Sequence, residues 1–223
     1  MKLLALDTST EACTVALWLD GEVLEQLEPG GQHSERILPM VDALLAEAGL
    51  TLTQLDALAF GRGPGSFTGL RIGAGVAQGL AFAADLPVVP VSSLAALAQG
   101  QAAGRVLAAF DARMQQVYWG VCIRNAQGVM EVQGAEGVFA PLAIPVPEGT
   151  DWHGAGPGWD AYSTALQSHL GPCLADWQRH CLPRARHVAE LGVAGYRAGQ
   201  SIAAETALPI YVRDTVAVKQ KKT

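Results

Sequence analysis

Leu3-Leu4-Ala5-Leu6-Asp7 is followed, after a short turn, by Cys13-Thr14-Val15-Ala16-Leu17-Trp18, a turn at Asp20-Gly21, and Val23-Leu24-Glu25. The same order returns a hundred residues on. Val106-Leu107-Ala108-Ala109-Phe110-Asp111 leads through a turn to Val117-Tyr118-Trp119-Gly120-Val121-Cys122, a turn at Gln127-Gly128, and Val129-Met130-Glu131. Each copy reads as an apolar strand ending in Asp, then two further strands joined by a glycine-containing turn. Later in each half a strand runs into a matching glycine loop, Gly61-Arg62-Gly63-Pro64-Gly65 in one and Gly154-Ala155-Gly156-Pro157-Gly158 in the other. A script repeated within one chain is the mark of a duplicated fold.

Three meandering strands followed by strand–helix alternation, twice over, is the plan of the actin and sugar-kinase superfamily. The expected fold is therefore α/β, with two actin-like, ribonuclease H-like lobes, each a mixed five-stranded sheet carrying helices. Lobe one is expected over 1–104, with helices near 34–48 and 68–84, strands near 56–60 and 87–91, and a helix from Ser92. Lobe two, 105–223, reads as a reduced copy, because Gly134–Gly149 holds three prolines and no helical period. Its helices are predicted near 159–169 and 186–198, the last of them a candidate to pack back on lobe one. Leu208–Arg213 reads as extended.

The two lobe-one helices carry different patterns. Ile37, Leu38, Val41, Leu44, Leu45 and Ala48 form one stripe at the 3.6-residue period, with Ser34 as the expected N-cap and Pro39 as the expected site of a kink. In the second helix Gly69, Gly73 and Ala77 recur every four residues, as do Gly75, Gly79 and Ala83. Each interior glycine costs a helix about 1 kcal/mol relative to alanine. Small residues at this spacing admit another backbone closely. That backbone is either the chain's own sheet or strand loop, or a helix of a partner subunit.

Composition narrows the class. Half the residues are hydrophobic and 6% aromatic, as in a well-packed globular chain. No apolar run approaches the ~18 residues that span a bilayer, and no cleavage pattern follows the first strand, so a cytoplasmic protein is expected. The four cysteines show no C-x-x-C spacing. Residues 1–104 carry four Lys or Arg against eleven Asp or Glu, a net −7, leaving +1 for the remainder. Such an acidic half opposes a direct grip on a phosphate backbone. A short basic tail at Lys219, Lys221 and Lys222 is the one feature suited to RNA, and a solvated end is its ordinary role.

Chemistry is sparse. The strand-end Asp7-Thr8-Ser9-Thr10 resembles the first phosphate loop of actin-like ATPases, but it lacks the glycine that lets a backbone approach phosphate. Gly63, Gly65 and Ser66 precede a helix, as anion-binding loops do, yet neither a Gly-Lys-Ser/Thr ending nor G-x-G-x-x-G spacing is present. Asp7, Thr8, Ser9, Gly63, Gly65 and Ser66 are therefore kept as candidate anion or nucleotide contacts. Arg62 and Arg71 are candidates for an anion or a partner carboxylate, against ordinary surface or capping roles. His33 lacks a second metal ligand one turn on, where Ile37 stands. No catalytic residue, metal site or cofactor is assigned.

Ala5-Leu6-Asp7-Thr8-Ser9-Thr10, Gln32-His33-Ser34-Glu35-Arg36-Ile37-Leu38-Pro39 and Gly63-Pro64-Gly65-Ser66-Phe67-Thr68-Gly69-Leu70-Arg71-Ile72-Gly73 resemble the TsaB family of bacterial tRNA threonylcarbamoyladenosine biosynthesis proteins. The resemblance spans lobe one and returns at Pro209-Ile210-Tyr211-Val212-Arg213. It implies a degenerate paralogue of the catalytic subunit TsaD, which transfers a threonylcarbamoyl group to the adenosine beside the tRNA anticodon. TsaD carries its metal on a His-x-x-x-His helix, so His33 followed by Ile37 implies a lost metal site. The resemblance further implies pairing with TsaD through lobe-one helices, an ATPase, TsaE, joining the paired subunits, homodimers when alone, and contact with tRNA only indirectly. Ile37, Leu38, Val41, Leu45, Gly69, Arg71, Gly73 and Ala77 are the expected interface. An actin-like ATP-binding phosphotransferase and a self-associating structural protein are the alternatives.

Overall fold

The computed structural model describes residues 1–213; the basic tail lies outside the described residues. The duplicated script folds as two sheets of identical strand order. Strands β1 (Lys2–Asp7), β2 (Cys13–Leu19), β3 (Glu22–Glu28), β4 (Ala57–Gly63) and β5 (Val88–Ser92) form the first, in the order β3-β2-β1-β4-β5. Strands β6 (Arg105–Asp111), β7 (Val117–Arg124), β8 (Met130–Phe139), β9 (Trp152–Ala155) and β10 (Leu174–Gln178) form the second, in the order β10-β9-β6-β7-β8. In both sheets the hairpin strands pair antiparallel and the later two join in parallel. This is the mixed, twice-repeated actin-like plan.

Among the described residues five α-helices cover the sheets: α1 (His33–Glu47), α2 (Phe67–Ala84), α3 (Ser93–Gln99), α4 (Pro157–Leu170) and α5 (Ala185–Arg197). Side chains on a strand alternate between faces, and β1 shows the consequence. Leu4 and Leu6 face the core under α1 and α2, with Ile37, Val41, Leu44, Ala74 and Ala77. Leu3 and Ala5 face the opposite core, with Ala57, Ala59, Ala96, Val188 and Ala189. Thus α5, encoded after the second sheet, packs on the first. The small residues of β1 and β4 make that approach possible, since a Cβ on Gly192 would lie 2.6 Å from the Ala59 Cβ.

Helix α3 joins the halves. Its Ala95 and Ala96 pack into the first-sheet core while Leu94 and Leu97 pack with Val106, Ala108 and Phe110 of the second. On the far side of the second sheet, Trp159 of α4 is fully buried beside Trp119 and donates its indole N–H to the Leu107 carbonyl at 2.8 Å.

Some local expectations change. Helix α1 starts at His33 with Gln32 in the cap position, so Ser34 lies in the first turn and caps nothing. Pro39 lies inside the helix, which continues past it; the bond forfeited there is to the carbonyl of Glu35, an exposed residue. Strand β8 extends ten residues, far past the short Val129–Glu131 segment that announced it. Strand β10 has no alternating apolar pattern and emerged only in three dimensions. Leu208–Arg213 joins no named strand.

Candidate functional site

The strand-end Asp and the glycine loop converge, and they converge on each other. The Ser9 carbonyl accepts the Ser66 N–H at 2.7 Å, and the Thr8 hydroxyl donates to the Gly69 carbonyl at 2.8 Å. A Cβ on Gly65 would lie 2.4 Å from the Ser9 carbonyl oxygen, and one on Gly69 2.0 Å from that of Thr8. The glycines are there because the Thr8–Ser9 backbone is.

The start of α2 is partly engaged in the same way: the N–H groups of Ser66 and Gly69 are bonded, while those of Phe67 and Thr68 have no acceptor among the described residues. Ser66 is its N-cap, accepting the Gly69 N–H at 3.3 Å, while the Leu70 N–H goes to the Ser66 carbonyl. Asp7 is walled in behind this loop. Its Oδ1 accepts the Ser9 N–H and hydroxyl, and its Oδ2 accepts the Ser93 hydroxyl at 3.2 Å. A Cβ on Gly61 would stand 1.8 Å from Asp7 Oδ2. Burial pushes the Asp7 carboxyl above its ordinary range, and the Ser9 and Ser93 hydrogen bonds offset only part of that.

In front of this wall a cleft of about 910 Å³ opens between the lobes. One side carries Ser9, Thr10, His33 and the Pro64–Leu70 segment; the other carries Phe110–Met114, Tyr118, Pro157 and Asp160. Of the six candidate anion contacts, Ser9, Gly65 and Ser66 line the cleft, while Asp7, Thr8 and Gly63 are buried behind it, and their polar groups bond largely to one another. His33 is buried, with Nε2 2.9 Å from the Thr10 carbonyl. Four residues on, Ile37 is fully buried in the apolar core.

The two candidate arginines find partners within the chain. Arg62 pairs with Glu136 of β8 at 2.8 Å, and the same carboxylate accepts the Ser92 hydroxyl. Arg71 lies 3.8 Å over the Phe67 ring and donates Nε–H to the Tyr211 hydroxyl at 3.0 Å. Glu136, Tyr211 and Arg213 were not found by sequence reasoning, because nothing local signals a partner 74, 140 or 97 positions away.

The outer surface of α1 and α2 is the second candidate site. Of the eight expected interface residues, Ile37, Val41, Leu45, Gly69, Gly73 and Ala77 face inward and are covered by the chain's own core. This corrects the expectation that they supply the close packing with another subunit. Leu38 and Arg71 are exposed. So is the other stripe: Gly75, Gly79 and Ala83 point outward, and a Cβ on either glycine would meet nothing within 4 Å. Beside them Phe82 is 80% exposed.

Comparison with known proteins places this geometry in context. The family model described as "TsaD: tRNA N6-adenosine threonylcarbamoyltransferase" matches residues 28–221. The chain is 43% identical to the tRNA threonylcarbamoyladenosine biosynthesis protein TsaB of Escherichia coli (strain K12) over 228 residues, covering 99% of this chain and 98% of that one. It is 45% identical to the protein of the same name from Haemophilus influenzae, covering 99% and 97%. Among solved structures, YeaZ from Pseudomonas aeruginosa superposes with a TM-score of 0.87 at 47% identity, covering 94% of this chain and 99% of that one.

Proposed function

The chain belongs to the TsaB family, within the wider family described by the TsaD model, and from that premise we propose that it is a non-catalytic subunit of tRNA threonylcarbamoyladenosine formation. Its role is to bind and activate the threonylcarbamoyl-transferring subunit TsaD. One observation carries the non-catalytic reading. Asp7, the buried carboxylate at the end of β1, is sealed from the cleft by Gly61, Ser9 and Ser93, with both its oxygens taken by the Ser9 and Ser93 hydroxyls. A carboxylate so placed reaches neither a metal nor a phosphate.

Binding is assigned to the outer face of α1 and α2 in the lobe over 1–104, through Leu38, Arg71, Gly75, Gly79 and Phe82. Outward glycines beside a bare phenylalanine suit a helix of another subunit, because they let its backbone approach while an aromatic anchor fills its groove. The same face serves a second copy of this chain when TsaD is absent. TsaE joins the paired subunits, tRNA is met through them rather than directly, and the lobe over 105–223 supports the first.

Reconstitution tests the reading. TsaD, TsaE, a threonylcarbamoyl donor, ATP and tRNA, with this chain, should form the modified adenosine. Omitting the chain should abolish product, and Asp7→Asn should leave it unchanged. Turnover of the donor by this chain alone would overturn the assignment.

A further inference from the structure

Arg213 reaches back to the loop that joins β6 to β7. Its Nη2 donates to the Ala112 carbonyl at 3.0 Å and to Gln116 Oε1 at 2.6 Å, so one guanidinium holds both feet of that loop. Between the feet, Arg113, Met114 and Gln115 have φ of 60°, 52° and 58°. Three consecutive non-glycine residues in the left-handed region persist only where their surroundings over-determine them. Within the loop the Asp111 carboxylate accepts the Arg113 N–H, and Ala112 and Gln116 close the hairpin. Arg213 adds the tie from outside.

The residues just before Arg213 grip the other lobe. Ile210 donates its N–H to the Arg62 carbonyl at 2.8 Å, and its own carbonyl lies 2.9 Å from where a Cβ on Gly63 would stand. The Tyr211 ring packs 5.3 Å from Phe67, and its hydroxyl accepts from Arg71. Four successive residues, 210–213, thus line the cleft and fasten its two sides together. The attachment is thin. Leu208, Ile210 and Tyr211 are exposed, and among the described residues the bond from Ile210 to Arg62 is the only backbone tie that Pro209–Arg213 makes to another segment.

We propose that Ile210–Arg213 is a displaceable strap. Seated, it lines the interlobe cleft, ties its two sides together and holds the 113–115 loop left-handed. Released, it lets that loop relax and the cleft widen. The lobes remain joined, because the Glu136 carboxylate still bonds Arg62 and Ser92, and α3 and α5 lie outside the strap. Opening is therefore a local event with its own free energy, separate from unfolding.

Native-state amide exchange on the full chain tests this. Arg213→Ala and Tyr211→Ala should each accelerate exchange at Ala112, Gln116 and Ile210 by about tenfold or more, while Leu6 and Ala59 in the first sheet keep their protection. Tyr211→Phe, which removes only one hydroxyl, should move the same amides by less. If Tyr211→Ala leaves Ala112 and Gln116 unchanged, Arg213 is a local clamp and no strap exists. Acceleration spread evenly over both sheets, or none with Arg213→Ala, would equally overturn the proposal.

Discussion

The hydroxyl of Thr8 stands in the space that a side chain on Gly73 would need: an ideal Cβ there lies 2.4 Å from Oγ1. The same hydroxyl donates to the Gly69 carbonyl one turn earlier. One threonine on the β1–β2 turn therefore explains two glycines of α2, and it separates the helix's small residues into two sets with different jobs.

The inward set answers to packing. Gly73→Leu should force Thr8 and the β1 end aside and destabilise the chain by about 3 kcal/mol, as overpacking of a tight core does. Gly79→Ala, pointing into open space, should stabilise it by about 0.5–1 kcal/mol through helix propensity. Urea denaturation of the two variants reads the difference directly. Equal effects would mean that the two stripes are not distinct.

The outward set answers to pairing. Phe82→Ser should change the stability of the isolated chain by less than about 0.5 kcal/mol, since the ring is mostly exposed. It should nevertheless weaken association with TsaD by about tenfold or more, as loss of an aromatic anchor does. Co-purification and titration calorimetry check it, with Gly75→Leu as the companion variant. Wild-type affinity in both would move the interface elsewhere.

Asp7 predicts a pH dependence. Its carboxyl is raised above the ordinary value of 3.8, chiefly by burial, so the folded chain binds its proton more tightly than the unfolded one. Its contribution is then fully present below about pH 4 and is lost as pH rises through the raised value. Asp7→Asn keeps an acceptor for Ser9 and removes the titration. The variant's stability minus that of wild type should therefore increase with pH from about 4 upward, levelling above the raised value. A pH series of denaturation midpoints measures this, and a flat difference would refute it.

Glu25 ties strand β3 to the start of α5. Its carboxylate accepts the Arg186 N–H at 3.1 Å in the first turn of α5 and pairs with the Arg184 guanidinium; Thr14 donates to it and in turn accepts the Ala185 N–H. Glu25→Ala leaves these donors without their acceptor at a nearly buried point and should cost about 2 kcal/mol. Glu25→Gln, which keeps an acceptor, should cost about half as much. Thermal or urea unfolding distinguishes them.

Periodicity and punctuation carried most of the architecture into view. β1, β2, β6 and β7 are apolar runs bounded by turns, α1 and α5 carry regular stripes, and the duplicated Asp and glycine loops mark the ends of the first strand and of the first crossover strand in each sheet. β10 was hidden because Leu174-Ala-Asp-Trp-Gln, an edge strand with three of its five residues exposed, needs no apolar alternation. The candidate site was legible by composition alone. Its residue types were apparent; which way each one faced was not.

That division has a physical cause. Local spacing, side-chain volume and backbone freedom act within a few residues, and they suffice to dictate two copies of a sheet, a helix rich in small residues, and the lack of a second histidine one turn from His33. Direction is a different matter. Whether Gly73 meets Thr8 or a foreign helix, whether Arg62 meets an anion or Glu136, and whether Arg213 clamps the 113–115 loop are decided by contacts between segments far apart in the chain. Those contacts exist only once the sheets, α3 and α5 have packed and fixed which faces are left for water.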